Sequence, residues 1–269
     1  VVELGTVTVL RRYPVKSMLG EVLASAVLGS GGVDGDRVLA LIDRADGRIV
    51  SAKRPALWRT MLQCTAGWDG GSVRITLPDG STVGGLDHDL DRTLSAVLGR
   101  QVHLSDARPD AASLARPAPE DVMDHGDDVE VDFELLEIAQ GTSGSTFVDY
   151  APVHLITTAT LDQLGAEHVR YRPNLLIATP EGTPFAENEW VDRELTIGGV
   201  RLRGILPTPR CAIPTLEHGE LPRSPHAVRS LLDQNRIDVP GFGVLPCAGL
   251  YAEVLEGGTI HTGDPVRLA

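Results

Sequence analysis

The chain has 269 residues, 42% hydrophobic and 23% charged, which is enough to core one large or two small domains. Its net charge of −13 and pI near 5.0 argue against non-specific binding to nucleic acid or to an anionic membrane surface. No apolar run reaches membrane-spanning length and no basic stretch followed by an apolar one opens the chain, so no membrane partner is expected, and three cysteines without a disulfide pattern make a reducing cytoplasm the default expectation. The first residues are Val1-Val2-Glu3, which leaves open what precedes them.

Taken in chain order, strand signals dominate. Val2 to Leu10, Val38 to Ile42, Leu62 to Trp68 and Val73 to Leu77 mix β-branched and apolar residues between turn formers. Pro78-Asp79-Gly80 predicts a turn before Thr82. Asp89 to Leu98 carries Leu90, Leu94, Val97 and Leu98 at helical spacing, with Gly99 as a stop. From Ala107 to Gly126 the pattern lapses into Ala, Pro and acidic residues, including Arg116-Pro117-Ala118-Pro119, and reads as a linker. Thr158 is placed to cap a short helix through Leu164, ending at Gly165. Gly198-Gly199 predicts a tight hairpin between Glu194–Ile197 and 200–205. Ser224-Pro225 reads as a cap with Pro in the first turn of a helix to Gln234. The tail, Tyr251 to Leu268, reads as strand, Gly257-Gly258 turn and strand.

This pattern predicts a mainly β protein with few short helices, favouring barrels or sandwiches over a parallel α/β sheet. The division is a β-rich N-terminal domain at 1–108, a linker at 109–126 and a second β-rich domain at 127–269. No G-x-G-x-x-G fingerprint, Walker A sequence or internal repeat is present.

Three cysteines, Cys64, Cys211 and Cys247, include no C-x-x-C pair, so a disulfide framework, zinc knuckle or iron–sulfur cluster within the chain is not expected. Cys64 reads as core and Cys247 is ambiguous. Cys211 differs, because Pro207-Thr208-Pro209-Arg210-Cys211-Ala212-Ile213-Pro214-Thr215 sets a thiol after an arginine on a proline-stiffened loop. A neighbouring guanidinium favours the thiolate, the form that attacks electrophiles and ligates soft metals. The alternative reading is a small buried apolar residue. Lysine occurs only at Lys16 and Lys53, in a chain whose other cations are arginines, a hint that those positions need a compact ammonium.

Several segments pair cationic and hydroxyl groups suited to an anion. They are Tyr13-Pro14-Val15-Lys16-Ser17, Gly35-Asp36-Arg37, Ser51-Ala52-Lys53-Arg54-Pro55, His154 to Thr158, and Tyr171-Arg172-Pro173-Asn174. In this order, with Arg210-Cys211, Thr215 and the closing Gly258-Thr259-Ile260-His261-Thr262-Gly263-Asp264-Pro265-Val266, the chain resembles the MOSC family in its two-part form with an N-terminal β-barrel domain. Within that family it is similar to the amidoxime-reducing components, which bind a molybdenum–pterin cofactor and reduce N-hydroxylated compounds.

The resemblance implies that Cys211 is the catalytic thiolate and the protein's ligand to molybdenum. It implies that Lys16, Ser17, Arg37, Arg172, Asn174 and Arg210 hold the pterin and phosphate, with Thr157 and Thr158 offering hydroxyls, Thr208 in the loop before the ligand, and Tyr251 in the pocket. A small-molecule substrate of N–OH or N-oxide type and a separate electron donor of ferredoxin or reductase type follow from the same likeness. Three departures stand out. Pro209 replaces a small hydroxyl residue, the family's Phe-Gly-x-Tyr is split between Phe242-Gly243 and Tyr251, and no redox domain is appended. Three other readings stay open: a cofactor-binding or sulfur-carrying module without turnover, a Cys211 nucleophile paired with His218 or His226, and an interaction domain with a buried cysteine.

Overall fold

The computed structural model describes residues 2–142, 145–179 and 182–269. Seven strands close a barrel. Around the ring run Val153–Thr157, Leu175–Ala178, Val2–Arg12, Pro265–Leu268, Glu194–Ile197, Val200–Pro209 and Gly243–Glu256, and the last pairs back to the first. All contacts around the ring are antiparallel except Val153–Thr157 with Leu175–Ala178, whose parallel pairing requires a crossover. The helices Thr158–Leu164 and His168–Tyr171 supply it.

Alternation explains closure. Val200 and Leu202 point inward while Arg201 and Arg203 face solvent, and Val153 and Leu155 enter the same core from across the ring. Each such fully buried side chain stabilises the fold by about 1.5–3 kcal/mol. The first strand of the chain fills the gap between Leu175–Ala178 and Pro265–Leu268, so the barrel is completed by a strand remote in sequence. A second core gathers Val15, Leu41, Trp58, Cys64, Ile75 and Leu94 around the strands Ala40–Asp43, Thr65–Asp69, Ser72–Thr76 and Val102–Ser105.

Several local expectations shift. Leu62 lies in the tight helical turn Arg59–Gln63, so that strand begins only at Thr65. The strand expected from Val38 begins at Ala40. Thr157, one residue earlier than expected, caps the helix Thr158–Leu164 by accepting from the Thr160 amide. Ser224 makes no side-chain cap to the helix His226–Gln234. The tail is not a hairpin, because Gly258–His261 leaves the barrel to pair with Ser25–Gly29. Residues 109–126, read as a linker, carry the strand Ser113–Pro117 and the helix Pro119–His125, and that strand pairs with Phe133–Glu137 in a separate hairpin.

Candidate functional site

The two cores meet along a cleft whose walls and mouth enclose about 1030 Å³. Tyr13 organises the N-terminal wall. It is fully buried, its hydroxyl donates to the Pro173 carbonyl (3.2 Å), and its amide donates to Asp36 Oδ1 (2.7 Å). The guanidinium carbons of Arg172 and Arg37 lie 4.5 and 4.7 Å from its ring centroid, so one aromatic ring steadies two like charges. Arg37 also donates to Asp36 Oδ2 (2.5 Å) and to the Arg172 carbonyl (3.0 Å).

Three residues here, Ser17, Arg37 and Arg172, have φ values of 68°, 49° and 57°. Left-handed backbone costs a side-chain-bearing residue about 1–2 kcal/mol. Such strain concentrates where the surrounding structure holds a group for use. Arg172 ends the helix His168–Tyr171 in this conformation, which turns its side chain back over Tyr13. Both of its Nη atoms are buried without a hydrogen-bond partner. Burial first, then Arg37 beside it, lowers its pKa to about 10. A buried, unpartnered guanidinium is an expensive group to keep, and an anion is what satisfies it.

Both lysines of the chain converge on one carboxylate. Lys16 Nζ donates to Asp149 Oδ1 (2.6 Å) and to the Phe147 carbonyl (2.7 Å), and Lys53 Nζ lies 3.1 Å from the same Oδ1. Burial, only partly offset by Asp149, lowers Lys16 to about 8. Burial pushes Asp149 up, but the two ammoniums outweigh it and hold the carboxyl well below its usual range. Ser17 Oγ accepts from the Ala52 amide (3.1 Å), which leaves its proton to donate.

On the barrel side, Arg210 donates to the Tyr171 carbonyl (2.8 Å), while its buried Nε has no partner. Cys211 follows the strand Val200–Pro209 and precedes the turn Ile213–Thr215. It is 8% exposed, packs on Ala52, Leu62, Ile213 and Leu216, and lines the cleft. Thr215 Oγ1 donates to the Ala212 carbonyl (2.8 Å) and tightens the turn after it. Asn174 also reaches the cleft, but its amide is engaged with the His154 amide (3.1 Å) and the Arg11 carbonyl (3.3 Å), so it ties strands together. Tyr251 stands in an aromatic wall, 6.0 Å from Tyr150 and 5.7 Å from His154, with Phe242 edge-on to Tyr150.

The structure therefore gathers Lys16, Ser17, Arg37, Arg172, Asn174, Arg210, Cys211 and Tyr251 around one cleft. Three expected residues do not line it. Thr157 shares the inward parity of Val153 and Leu155, and with Thr160 it hydrogen-bonds the buried Glu187 at the barrel's end. Thr158 Oγ1 accepts from the Thr179 amide. Thr208 is buried beside the cleft with its hydroxyl unpartnered. His218 is also buried, and its Nδ1 lies 3.0 Å from the Leu216 carbonyl.

Sequence reasoning passed over Asp149 and gave Tyr13 and His154 no role of their own within the segments it singled out. Lys53 carried a signal in the scarcity of lysine. His154 is neutral, because burial, then Arg210 and Arg37, lower its pKa well below normal. Its Nε2 rests over Gly249, where a Cβ would come within 2.5 Å. In all, six cationic side chains line the cleft (Lys16, Arg37, Lys53, Arg116, Arg172 and Arg210) against the carboxylates of Asp149 and Glu137, inside a protein of charge −13. The cleft is thus a cationic pocket with one thiol at its edge.

Comparison with known proteins finds the MOSC N-terminal beta barrel domain over residues 4–114 and the MOSC domain over residues 142–267. Mitochondrial amidoxime reducing component 2 of Rattus norvegicus is 29% identical over 130 residues, covering 45% of this chain and 37% of that protein. Mitochondrial amidoxime-reducing component 1 of Mus musculus is 28% identical over 132 residues, covering 45% and 38%. The match thus spans under two fifths of the length of these relatives. Among solved structures, the YUAD protein from Bacillus subtilis aligns over 98% of this chain and 94% of its own, with a TM-score of 0.45 and 10% identity.

Proposed function

The chain belongs to the MOSC family, and from that premise we propose that it is an oxidoreductase holding a molybdenum–pterin cofactor in the cleft, with Cys211 Sγ as the metal's protein ligand. Its substrates are small N-hydroxylated or N-oxide compounds. The observation that carries this reading is the meeting of Cys211 with cations from five distant segments, one of which, Arg172, has both Nη atoms unsatisfied.

The residues fit such a group. A soft sulfur suits molybdenum, and the guanidiniums of Arg172 and Arg37 suit a phosphate. Lys16 and Ser17 add donors at the same wall, and Arg210 contributes charge beside the thiol. Bound there, the cofactor supplies two-electron redox chemistry, while the protein supplies ligation, orientation and access. The substrate's N–O bond breaks, two electrons arrive from a donor protein, two protons come from solvent, and water leaves. That donor is a separate ferredoxin- or reductase-type protein. The wall of Tyr150, Phe242 and Tyr251 shields the organic part of the substrate from water.

The test is elemental analysis of protein made in a host that synthesises the cofactor, followed by reduction of a model amidoxime with reduced viologen. About one molybdenum per chain is expected from single-thiolate ligation. Cys211→Ala is expected to abolish turnover, and normal turnover by that variant overturns the assignment. A loaded wild-type protein that reduces nothing is instead a cofactor-binding or sulfur-carrying module.

A further inference from the structure

The segment expected to be a linker forms the cleft's third wall. The hairpin of Ser113–Pro117 and Phe133–Glu137 brings Arg116 and Leu136 to the cleft beside Tyr150 and Phe242. In the ladder Arg116 stands directly opposite Glu134, and paired residues share a face. The Arg116 side chain makes no ion pair or hydrogen bond among the described residues, even so, and it lines the cleft. Glu137 also edges the cleft, but three register positions away, where alternation gives it the other face of the hairpin.

The other cleft cations are differently placed. Lys16 and Lys53 share Asp149, Arg37 holds Asp36, and Arg210 holds the Tyr171 carbonyl. Arg172 is unsatisfied, but it lies over Tyr13 on the opposite wall. Arg116 is thus the uncommitted cation on the aromatic side. The aromatic side is also the cysteine side of the cleft, since Tyr150, Phe242 and Tyr251 pack against the cluster of Cys247, which pairs with Pro209 two positions before Cys211. Arg116 and Leu136 line the same cleft as these rings. Tyr150, Phe242 and Tyr251 beside it offer flat apolar surface.

We propose that Arg116 is a specificity-determining residue, binding the carboxylate of an aromatic N-hydroxylated substrate whose ring lies along the wall of Tyr150, Phe242 and Tyr251. This rests on the reading of the cleft given above and adds the substrate class. A charge-assisted bond formed to an otherwise uncommitted guanidinium favours the carboxylated compound by about tenfold or more.

The experiment compares benzamidoxime with 4-carboxybenzamidoxime on molybdenum-loaded wild-type, Arg116→Gln, Arg116→Glu and Arg116→Lys proteins, with molybdenum content measured for each. Wild-type kcat/KM is expected to favour the carboxylated compound about tenfold, through KM. The preference should vanish in Arg116→Gln, invert in Arg116→Glu and persist in part in Arg116→Lys. Calorimetric binding of the non-reducible pair 4-carboxybenzamide and benzamide gives a readout independent of turnover. If that pair shows the same Arg116-dependent preference while neither amidoxime is reduced, the reductase reading fails while the recognition of an aromatic carboxylate by Arg116 stands. Equal affinity of the pair for wild-type protein, or a preference unchanged in Arg116→Glu, overturns it. So does loss of molybdenum in Arg116→Gln, which would assign Arg116 to the cofactor.

Discussion

Replacing Lys16 with Met gives a sharp test of the electrostatics of the cleft. Lys16 is 5% exposed, and burial depresses its ammonium to about 8 from the usual 10.5. A lysine depressed in the folded state penalises folding while it must stay charged. That penalty is fully present below the folded pKa and is relieved as pH rises toward the unfolded value, because over that window the unfolded chain binds the extra proton. A difference of about 2.5 units corresponds to about 3 kcal/mol, of which about 1 kcal/mol is relieved between pH 8 and 9. Urea unfolding of cofactor-free wild-type and Lys16→Met proteins at pH 7, 8 and 9 measures it. Wild-type stability should gain about 1 kcal/mol on the variant between pH 8 and 9. Titrations of Cys64 and Cys247 are common to both proteins and cancel in the difference. Asp149 is half-buried and keeps Lys53 at 3.1 Å, so the variant leaves no carboxylate without a cation. Parallel curves across the range would refute the depressed lysine, and with it the view that the wall is poised for an added negative charge.

Two further outcomes follow from local geometry. Gly249→Ala puts a Cβ within 2.5 Å of both His154 Nε2 and the Leu155 carbonyl oxygen at a φ of 84°, so a loss of about 2–5 kcal/mol is expected in chemical denaturation. A loss within 0.5 kcal/mol would show that strand Gly243–Glu256 yields there. Thr157→Ala removes the cap of helix Thr158–Leu164 and one donor to Glu187, and is expected to cost about 1 kcal/mol. No change in the unfolding midpoint would contradict that structural role.

The chemistry of the cleft was legible because it is local. A thiol after Arg210 between prolines, a lysine–serine pair after the first strand, and Arg172 before Pro173 each declare themselves within a few residues. The barrel strands were legible for the same reason, since alternation such as Val200, Arg201, Leu202, Arg203 is written residue by residue. Tertiary structure decided whatever depends on which face a residue turns and which distant strand it meets. It set Val2–Arg12 between two C-terminal strands, made a hairpin and wall of a proline-rich stretch, and brought Lys16 and Lys53 to one carboxylate. It also turned Thr157 toward the barrel's end while its neighbour on the same strand, His154, faces the cleft. The reason is that side-chain periodicity is a property of a short segment, whereas strand pairing and register are settled only when the whole ring of apolar faces closes on one core.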